Sequence, residues 1–269
     1  MSYRLADAAR AEGYRLHVHE RLESTNTQAL ALAASGEAGP LWVVAHRQEA
    51  GRGRRGNVWV SPPGNLAASL LFPVRGVPRE RIATFGFVAG LALAEALADL
   101  CAPGGDCARM DALREFRLKW PNDVLYEGGK LAGILLETET GPGGRLALVA
   151  GFGVNVEAAP EGLPYAATSL RAAGLVADAA GVFQHLTGRM AQAVRLWNEA
   201  RNFPAIRQRW LARANGLGEP VSVRRDGGIL AGTFETIDEE GRLVILAPDG
   251  ARQIVTAGDV YFGEAATAA

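Results

Sequence analysis

The sequence predicts an α+β fold in which helices flank a mixed, largely antiparallel sheet, with a small all-β unit at the C-terminal end. Strand-like runs joined by tight turns follow one another over 116–156, so neighbouring strands are expected to pair as hairpins. An apolar stretch over 81–100 is typical of a helix buried against a sheet. From about Leu217 short β runs alternate with Asp/Gly turns. The predicted domains are 1–215 and 216–269.

Periodicity and turn residues place the elements along the chain. Polar and apolar side chains alternate over 14–19, and N-cap candidates at 24–27 precede a helix that ends at Gly36. Pro204 suits a helix start. The predicted elements are strand 14–19, helix 28–34, strands 41–46 and 65–72, helix 81–100, strands 116–120, 124–126, 130–137 and 145–156, helices 179–202 and 204–214, and strands 221–225, 229–237, 243–247 and 253–256.

Composition excludes some classes of function. The chain has 269 residues, 48% of them hydrophobic, and a formal net charge of -1, which argues against a general affinity for nucleic acid or anionic membranes. Cys101 and Cys107 could form a disulfide, but there is no cysteine framework. No secretory signal and no run long enough to cross a bilayer stand out, so we expect a soluble cytoplasmic protein.

Residues 51–56, which we call the Arg/Gly loop, read Gly-Arg-Gly-Arg-Arg-Gly. They match G-x-G-x-x-G, but β-branched and aromatic residues and then Pro-Pro follow where a dinucleotide-binding turn needs a helix. Asn57 stands where a Walker A lysine would be. What remains is a flexible loop that can bring guanidinium and backbone N–H groups to a phosphate or carboxylate, or a solvated basic turn.

The ordered set of polar motifs resembles the biotin–protein ligases. The set consists of Ser24-Thr25-Asn26, Gln48-x-x-Gly51-Arg52-Gly53-Arg54-Arg55-Gly56-x-x-Trp59, Lys119-Trp120-Pro121-Asn122-Asp123, Lys130-Leu131-Ala132-Gly133-Ile134-Leu135-x-Glu137, Gly151-x-Gly153-x-Asn155 and Ala167-Thr168-Ser169-Leu170. The tail at 257–263 is similar to the C-terminal barrel of that family. The resemblance implies a class II synthetase-like catalytic domain followed by an SH3-like barrel.

Family members that act as repressors carry a DNA-binding domain before the ligase. Only 23 residues precede Ser24, so the resemblance predicts the ligase-only form. Two positions depart from the family pattern. Glu49 stands where glutamine is common, and Glu157 stands where many relatives have asparagine. Both are expected to alter polar contacts near the nucleotide or biotin without removing a charged catalytic group.

The implied reaction has two steps. Biotin attacks the α-phosphate of ATP to give biotinyl-5'-AMP and pyrophosphate, and a lysine of a biotin carboxyl carrier protein then displaces AMP. Because two anions must meet, the site needs fixed cations. The predicted catalytic residues are Arg52, Arg54, Lys130 and Asp123; the biotin site is Ser24, Thr25, Asn26, Gln48, Arg52, Gly53, Arg54, Lys130 and Gly133; and the ATP site is Arg52, Arg54, Trp59, Asn122, Lys130 and Asn155.

Several roles stay open at this level. Lys130 follows a tight turn, which suits a rigid catalytic amine but also a surface hairpin lysine. Arg55 is assigned more weakly than Arg54, because alternate residues of an extended loop point apart. Asp123 can bind Mg²⁺ or orient the acceptor lysine, and Trp59 can pack on the adenylate or in the core. No cluster of His or Cys ligands exists, so no metal site is predicted and Mg²⁺ is expected to arrive with ATP.

Other functions remain as alternatives. A lipoate–protein ligase uses the same adenylation chemistry on a related fold, although the Arg/Gly loop and Lys-Leu-Ala-Gly at 130–133 favour biotin. A nucleic-acid-binding module would use the same arginines, and a catalytically inactive biotin sensor would keep the pocket without the chemistry. The sequence does not fix the oligomeric state, and a homodimer is possible.

Overall fold

The computed structural model describes residues 2–100, 116–225 and 228–262. The helices of this part of the chain are α1 (Asp7–Ala11), α2 (Thr25–Ala34), α3 (Phe85–Leu100), α4 (Ala179–Trp197) and α5 (Phe203–Leu211). The strands are β1 (Arg15–Leu22), β2 (Leu41–Gln48), β3 (Leu66–Pro73), β4 (Phe116–Lys119), β5 (Asp123–Tyr126), β6 (Gly129–Gly141), β7 (Arg145–Val154), β8 (Pro220–Arg225), β9 (Gly228–Ile237), β10 (Leu243–Leu246), β11 (Arg252–Val255) and β12 (Asp259–Phe262).

The first seven strands form one sheet in the order β1-β2-β3-β7-β6-β5-β4. Only β1 and β2 pair in parallel; the other pairs are antiparallel. The hairpin between β5 and β6 turns at Glu127 and Gly128, which both have positive φ, as a two-residue hairpin turn requires. The predicted mixed, largely antiparallel sheet is therefore confirmed.

Side-chain alternation along the central strands gives the large sheet two apolar faces. Leu41, Val43 and Leu71 pack with the small residues of α2 on one face. Trp42, Val44 and Leu70 lie on the other face, in the main core that also takes in α3 and α4. The sheet is thus flanked by helices on both sides, as predicted.

The predicted buried helix is present as α3, preceded by a 3-10 helix at Arg79–Thr84. Within the described residues, this stretch of 22 residues is long and apolar enough to cross a membrane by composition, with a mean hydropathy of 1.6. The expectation that no such run exists is therefore wrong. Because 83% of its most apolar window is buried inside the fold, α3 serves as the core helix between the large sheet, α4 and α5.

The observed elements differ from the sequence prediction at several places. Helix α2 begins at Thr25 rather than 28, because Ser24 is its N-cap and accepts a hydrogen bond from the Thr27 N–H. Helix α4 ends at Trp197 rather than 202, because Asn198, Glu199 and Ala200 all have positive φ. Strand β12 was not among the predicted strands, and it pairs with β8.

The C-terminal strands form an antiparallel sheet in the order β11-β10-β9-β8-β12, which confirms the predicted small β unit. We call 216–262 the C-terminal barrel. It packs directly on the larger unit: the Trp120 indole donates to the Gly241 carbonyl at 2.9 Å, and Arg207 of α5 donates to the Thr236 hydroxyl at 2.8 Å. Cys101 and Cys107, whose pairing was left open, lie outside the described residues.

Candidate active site

The residues singled out in the sequence converge on one end of the large sheet. Strand register explains why, since Asp123 of β5 lies opposite Gly133 of β6, and Gly133 lies opposite Gly153 of β7. Strand β2 ends at the same edge with Gln48, from which the Arg/Gly loop continues. The start of α2 lies beside Gln48, because the Thr25 N–H donates to the Gln48 Oε1 at 2.9 Å.

Lys130 stands at the centre of this group and is fixed through both its backbone and its side chain. Its N–H donates to the Ala166 carbonyl, and its own carbonyl accepts from the Thr168 N–H. Its Nζ lies 2.9 Å from the Asp123 Oδ1, and both side chains are about one fifth exposed, at 20% and 18%. The ammonium also lies 5.8 Å from the Trp59 ring centroid and 5.4 Å from that of Tyr165.

The Arg/Gly loop folds back on itself. Arg52 bridges to Val58, the Gly53 N–H donates to the Asn57 carbonyl at 2.7 Å, and the Trp59 N–H donates to the Gly51 carbonyl at 2.9 Å. A 3-10 turn at Arg54–Gly56 has Arg55 in the left-handed region at φ 54. The loop is therefore a turn in this structure and not an extended strand.

The arginines of the loop contact three different elements. Arg52 forms an ion pair of 2.5 Å with Glu137 of β6. Arg54 donates to the Asn122 side-chain oxygen at 3.2 Å. Arg55 forms an ion pair of 3.0 Å with Asp259 of the C-terminal barrel. Arg54 and Arg55 do point apart as expected, although a tight turn is the reason.

Trp59 covers the strands beneath the loop. A Cβ on Gly153 would overlap its indole, and a Cβ on Gly133 would lie 3.2 Å from it. Both glycines therefore give the ring a flat surface on β6 and β7. Trp59 is half-buried here and faces Lys130, so it lies in the site and not in the main core.

A buried polar network joins the start of α2 to the sheet. Ser24, Thr25, Asn26 and Ser69 are each at most 4% exposed. The Ser69 hydroxyl lies 2.7 Å from the Thr25 Oγ1 and 2.5 Å from the Asn26 Oδ1. A Cβ on the neighbouring Gly151 would overlap the Asn26 amide, so only glycine leaves room for it. Ser69 was not predicted as a site residue.

Glu137 connects this network to the Arg/Gly loop. Its Oε2 accepts from the Asn26 Nδ2 at 2.9 Å and from Arg52 at 2.5 Å. Glu137 belongs to the Lys-Leu-Ala-Gly motif quoted above, but no role was predicted for it. It holds one loop arginine against the helix that carries the predicted biotin-contacting residues.

The two asparagines predicted for the ATP site, Asn122 and Asn155, hydrogen-bond to the backbone around the site. The Asn122 Nδ2 donates to the Ile134 carbonyl at 2.7 Å while its oxygen accepts from Arg54. The Asn155 Nδ2 donates to the Thr168 carbonyl at 3.1 Å and lies 3.5 Å from the Lys130 carbonyl. Asn155 is 2% exposed, and its Oδ1 has no hydrogen-bond partner among the described residues.

Burial lowers the pKa of two cations in the site. Burial lowers the pKa of Arg54, and the neighbouring Arg55 lowers it further against the opposing effect of Asp123 and Asp259. Burial likewise lowers the pKa of Lys119, with Asp123 opposing and Lys130 reinforcing the shift. Lys119 belongs to the quoted Lys-Trp-Pro-Asn-Asp motif but was not predicted as a site residue.

The two departures from the family pattern form surface ion pairs. Glu49 lies 3.0 Å from Arg21, and Glu157 pairs with Arg171. The carboxylates nearest to Lys130 and Arg52 are Asp123 and Glu137, each already in an ion pair. Within the described ranges, no group of three or more His, Cys, Asp or Glu side chains is arranged to hold a metal ion.

Comparisons with known proteins agree with this arrangement. Residues 18–155 match the biotin/lipoate A/B protein ligase family, and residues 216–263 match the biotin protein ligase C-terminal domain. A biotin–[acetyl-CoA-carboxylase] ligase of Paracoccus denitrificans is 41% identical over 249 residues, which cover 90% of this chain and 98% of that protein. The corresponding ligase of Mycobacterium tuberculosis is 36% identical over 91% of this chain and 88% of its own length.

A solved structure extends the comparison to three dimensions. The biotin protein ligase of Aquifex aeolicus in complex with biotin and ATP has a TM-score of 0.74 to this chain at 26% identity, covering 93% of this chain and 98% of the other. The shared fold includes both sheets, and the matched sequence includes the Arg/Gly loop and Lys130. The chain therefore belongs to the biotin protein ligase family.

Proposed function

We propose that this chain uses ATP to activate biotin as biotinyl-5'-AMP and then transfers the biotinyl group to a lysine of a biotin carboxyl carrier protein. ATP-dependent ligation of biotin is the activity of the family, and relatives are named as biotin–[acetyl-CoA-carboxylase] ligases. One observation carries the proposal for this chain. The Lys130 ammonium is held 2.9 Å from Asp123 and lies 5.8 Å from the ring centroid of Trp59, the tryptophan that follows the Arg/Gly loop.

In the first step, cations bring two anions together. Lys130 is assigned to the biotin carboxylate and the α-phosphate, and Arg52 and Arg54 to the approaching negative charges. In the present structure Arg52 is neutralised by Glu137 and Arg54 contacts only a neutral amide. Substrate anions can therefore replace or supplement these protein partners without a large rearrangement of the sheet.

The part of the site assigned to biotin has polar side chains and also glycines, at which a ligand can lie close to the protein backbone. Ser24, Thr25, Asn26 and Gln48 are assigned to the ureido ring, since their hydroxyl and amide groups lie together at the start of α2. Gly53 and Gly133 lack side chains, which lets the ligand approach the loop and β6. Trp59 is assigned to the adenylate, over the glycines of β6 and β7.

The nucleotide side involves the two asparagines. Asn122 positions Arg54, and the free Oδ1 of Asn155 can accept a hydrogen bond from an amino group of the base. In the second step the acceptor lysine attacks the acyl carbon and AMP leaves. Asp123, one strand from Lys130, is assigned to orienting that lysine because its carboxylate already binds an ammonium.

We propose that Mg²⁺ enters the site bound to ATP. Hard cations prefer oxygen ligands, and phosphate oxygens supply most of them in nucleotide sites. Asp123 can serve as a single carboxylate ligand beside the phosphates. Among the described residues, no larger group of acidic side chains is arranged around a metal ion. When bound, the ion offsets phosphate charge and makes pyrophosphate a better leaving group.

The remaining assignments are also proposals. We divide the chain into a catalytic domain over 1–215 and the barrel domain over 216–269, supported by the two separate family matches. The exposed edge strand β1 can support a homodimer. A cytoplasmic location suits a reaction that consumes ATP, and a role in nucleic-acid binding is not part of the proposal.

The transfer reaction tests the proposal. The protein, ATP, Mg²⁺ and biotin are mixed with a biotin carboxyl carrier domain, and intact mass is measured. We expect one biotinyl addition, which disappears when the acceptor lysine of the carrier is changed to arginine. A parallel reaction contains lipoate in place of biotin, because the family that residues 18–155 match also includes lipoate ligases. No addition with biotin, or an addition only with lipoate, contradicts the proposal.

A further inference from the structure

Five cationic side chains surround the site, and three of them have carboxylate partners. Arg52 pairs with Glu137, Arg55 with Asp259, and Lys130 with Asp123. The remaining two are Arg54 and Lys119. Arg54 donates only to the neutral amide of Asn122, and Lys119 forms no ion pair with any residue that the structure describes. Among the described residues, these two are the cations of the site that form no ion pair of their own.

The position of Lys119 is fixed by strand β4. It is the last residue of β4, and antiparallel register puts it directly opposite Asp123. Its side chain is half-buried, whereas Arg117, two residues earlier on the same face of the strand, is exposed. Holding an ammonium out of water without a counter-ion is unfavourable, so a half-buried, unpaired lysine at a site for anionic substrates indicates an anion-binding role.

Arg54 shares this environment. Arg54 donates to Asn122, the residue that precedes the Asp123 opposite Lys119, so both cations lie at the turn between β4 and β5. Burial lowers the pKa of each, so both cations are strained by desolvation. A bound polyanion would offset the cost of burying these two charges.

We infer that Lys119, together with Arg54, holds the pyrophosphate that leaves in the first step; this inference rests on the proposed function. In that step a carboxylate oxygen of biotin forms a bond to the α-phosphorus. The bond from the α-phosphorus to the bridging oxygen breaks, and its electron pair leaves with pyrophosphate. No proton transfer is needed. Negative charge therefore grows on the leaving group, where two cations without an ion-pair partner stabilise it.

This role separates Lys119 from Lys130. Lys130 is assigned to the carboxylate and the α-phosphate, which remain in the adenylate. Lys119 is assigned only to the part of ATP that departs. Its removal should therefore affect reactions that involve pyrophosphate and leave both biotin binding and the second step unchanged.

The experiment compares Lys119→Met with Arg117→Met. Both variants remove one positive charge from the same face of β4, but Arg117 is exposed. Three quantities are measured: ATP–pyrophosphate exchange with biotin, inhibition of adenylate formation by inorganic pyrophosphate, and transfer to the carrier from chemically prepared biotinyl-AMP. For Lys119→Met we expect pyrophosphate affinity to fall by about tenfold or more, as for loss of a charge-assisted contact. Transfer from biotinyl-AMP should stay at the wild-type rate, and Arg117→Met should match wild type throughout.

Several results would overturn the inference. Wild-type pyrophosphate affinity in Lys119→Met removes Lys119 from the leaving-group site. An equal loss in transfer from biotinyl-AMP assigns it to Asp123 and the acceptor lysine instead. If Lys119→Met has a lower Tm than wild type, Lys119→Arg is measured as well. A Lys119→Arg variant that regains the wild-type Tm but not the pyrophosphate affinity indicates that Lys119 has a structural role. Direct calorimetric binding of inorganic pyrophosphate tests Lys119 even if the wild type activates an acid other than biotin, so the two proposals fail separately.

Discussion

At the residue scale, cations of the site are held by carboxylate partners, which we propose that substrate anions replace or supplement. Lys130 faces Asp123, and Arg52 faces Glu137. Each partner is a carboxylate, and so is the reacting group of biotin. These ion pairs keep the cations oriented before substrate arrives, which is the preorganisation that electrostatic catalysis requires.

Lys130→Ala should abolish most adenylate formation while leaving the fold intact. Its amine opposes the repulsion between carboxylate and phosphate, and loss of one such group typically lowers the rate on the order of 100- to 1000-fold. Single-turnover formation of biotinyl-AMP measures the effect, with Tm as the control for folding. Wild-type formation of the adenylate would remove Lys130 from the catalytic residues.

Gly153→Ala should displace Trp59. The added Cβ would overlap the indole, and strand β7 cannot yield because it pairs on both sides. We expect weaker retention of the adenylate, measured as faster release of biotinyl-AMP, and Trp59→Ala should have a similar effect. If Gly153→Ala retains the adenylate as well as wild type, the contact between Trp59 and the strands is not needed.

The sequence predicted the charged residues of the site better than their supporting partners. Lys130, Asp123 and the arginines stand in motifs whose chemistry can be interpreted from residue type alone. Ser69 lies in an apolar strand, and only the packing of α2 against β3 brings its hydroxyl to Thr25 and Asn26. Long-range pairing of this kind has no local signal, which is also why Asp259 was missed.

Among the elements, the Arg/Gly loop is costly to order, both in conformational entropy and in charge repulsion. Its glycines lose conformational freedom on ordering, and its arginines repel one another, so we predict that it is mobile without ligand. Its ion pairs in this structure are half-exposed, with Arg52 at 43% and Arg55 at 45%, and such pairs contribute only about 0–1 kcal/mol each. Ligand phosphates can therefore compete with them.

Arg54→Gly should still make biotinyl-AMP, at a lower rate because one cation of the site is lost, and should release it early. A closed loop keeps water from the mixed anhydride until the acceptor lysine arrives, and Arg54 connects the loop to Asn122. Labelling of an unrelated bystander protein measures the release, and proteolysis at 52–55 with and without biotin plus ATP measures loop ordering. Equal cleavage in both states, together with labelling of the carrier alone, would identify the loop as a rigid structural turn.

Strands and hairpins were predictable because turn residues mark their ends. The end of α4 was not, since Asn198, Glu199 and Ala200 adopt positive φ without a glycine to indicate it. Tertiary packing determines this boundary, because Trp197 and Ala200 are both buried in the main core. A local pattern therefore extended the helix too far.

For the whole molecule, the C-terminal barrel shares a core with the large sheet and reaches the site. Gly241 contacts the Phe87 ring and accepts from the Trp120 indole, while Asp259 pairs with Arg55 of the loop. The barrel therefore lies beside the end of β4, which carries Lys119, and the start of β5, which carries Asp123. The sequence indicated a separate β unit but not this contact, since Trp120 and Gly241 are distant in the chain.

A chain ending near Asn215 should lose much of its transfer activity yet keep measurable biotin binding. Truncation exposes Phe87 and Trp120, at about 1.5–3 kcal/mol for each buried side chain, so Tm should also fall. Calorimetric biotin binding and carrier labelling are measured on the same preparation. Full transfer activity from the truncated chain would show that the barrel is dispensable.

The central claim is that the site around Lys130 activates biotin. The most direct measurement offers the protein ATP, Mg²⁺ and equal concentrations of biotin and lipoate, and identifies the acyl-adenylate by mass spectrometry. We expect biotinyl-AMP from the wild-type chain and only a small residual amount from Lys130→Ala. Lipoyl-AMP as the main product, or biotinyl-AMP formed equally well by Lys130→Ala, would contradict it.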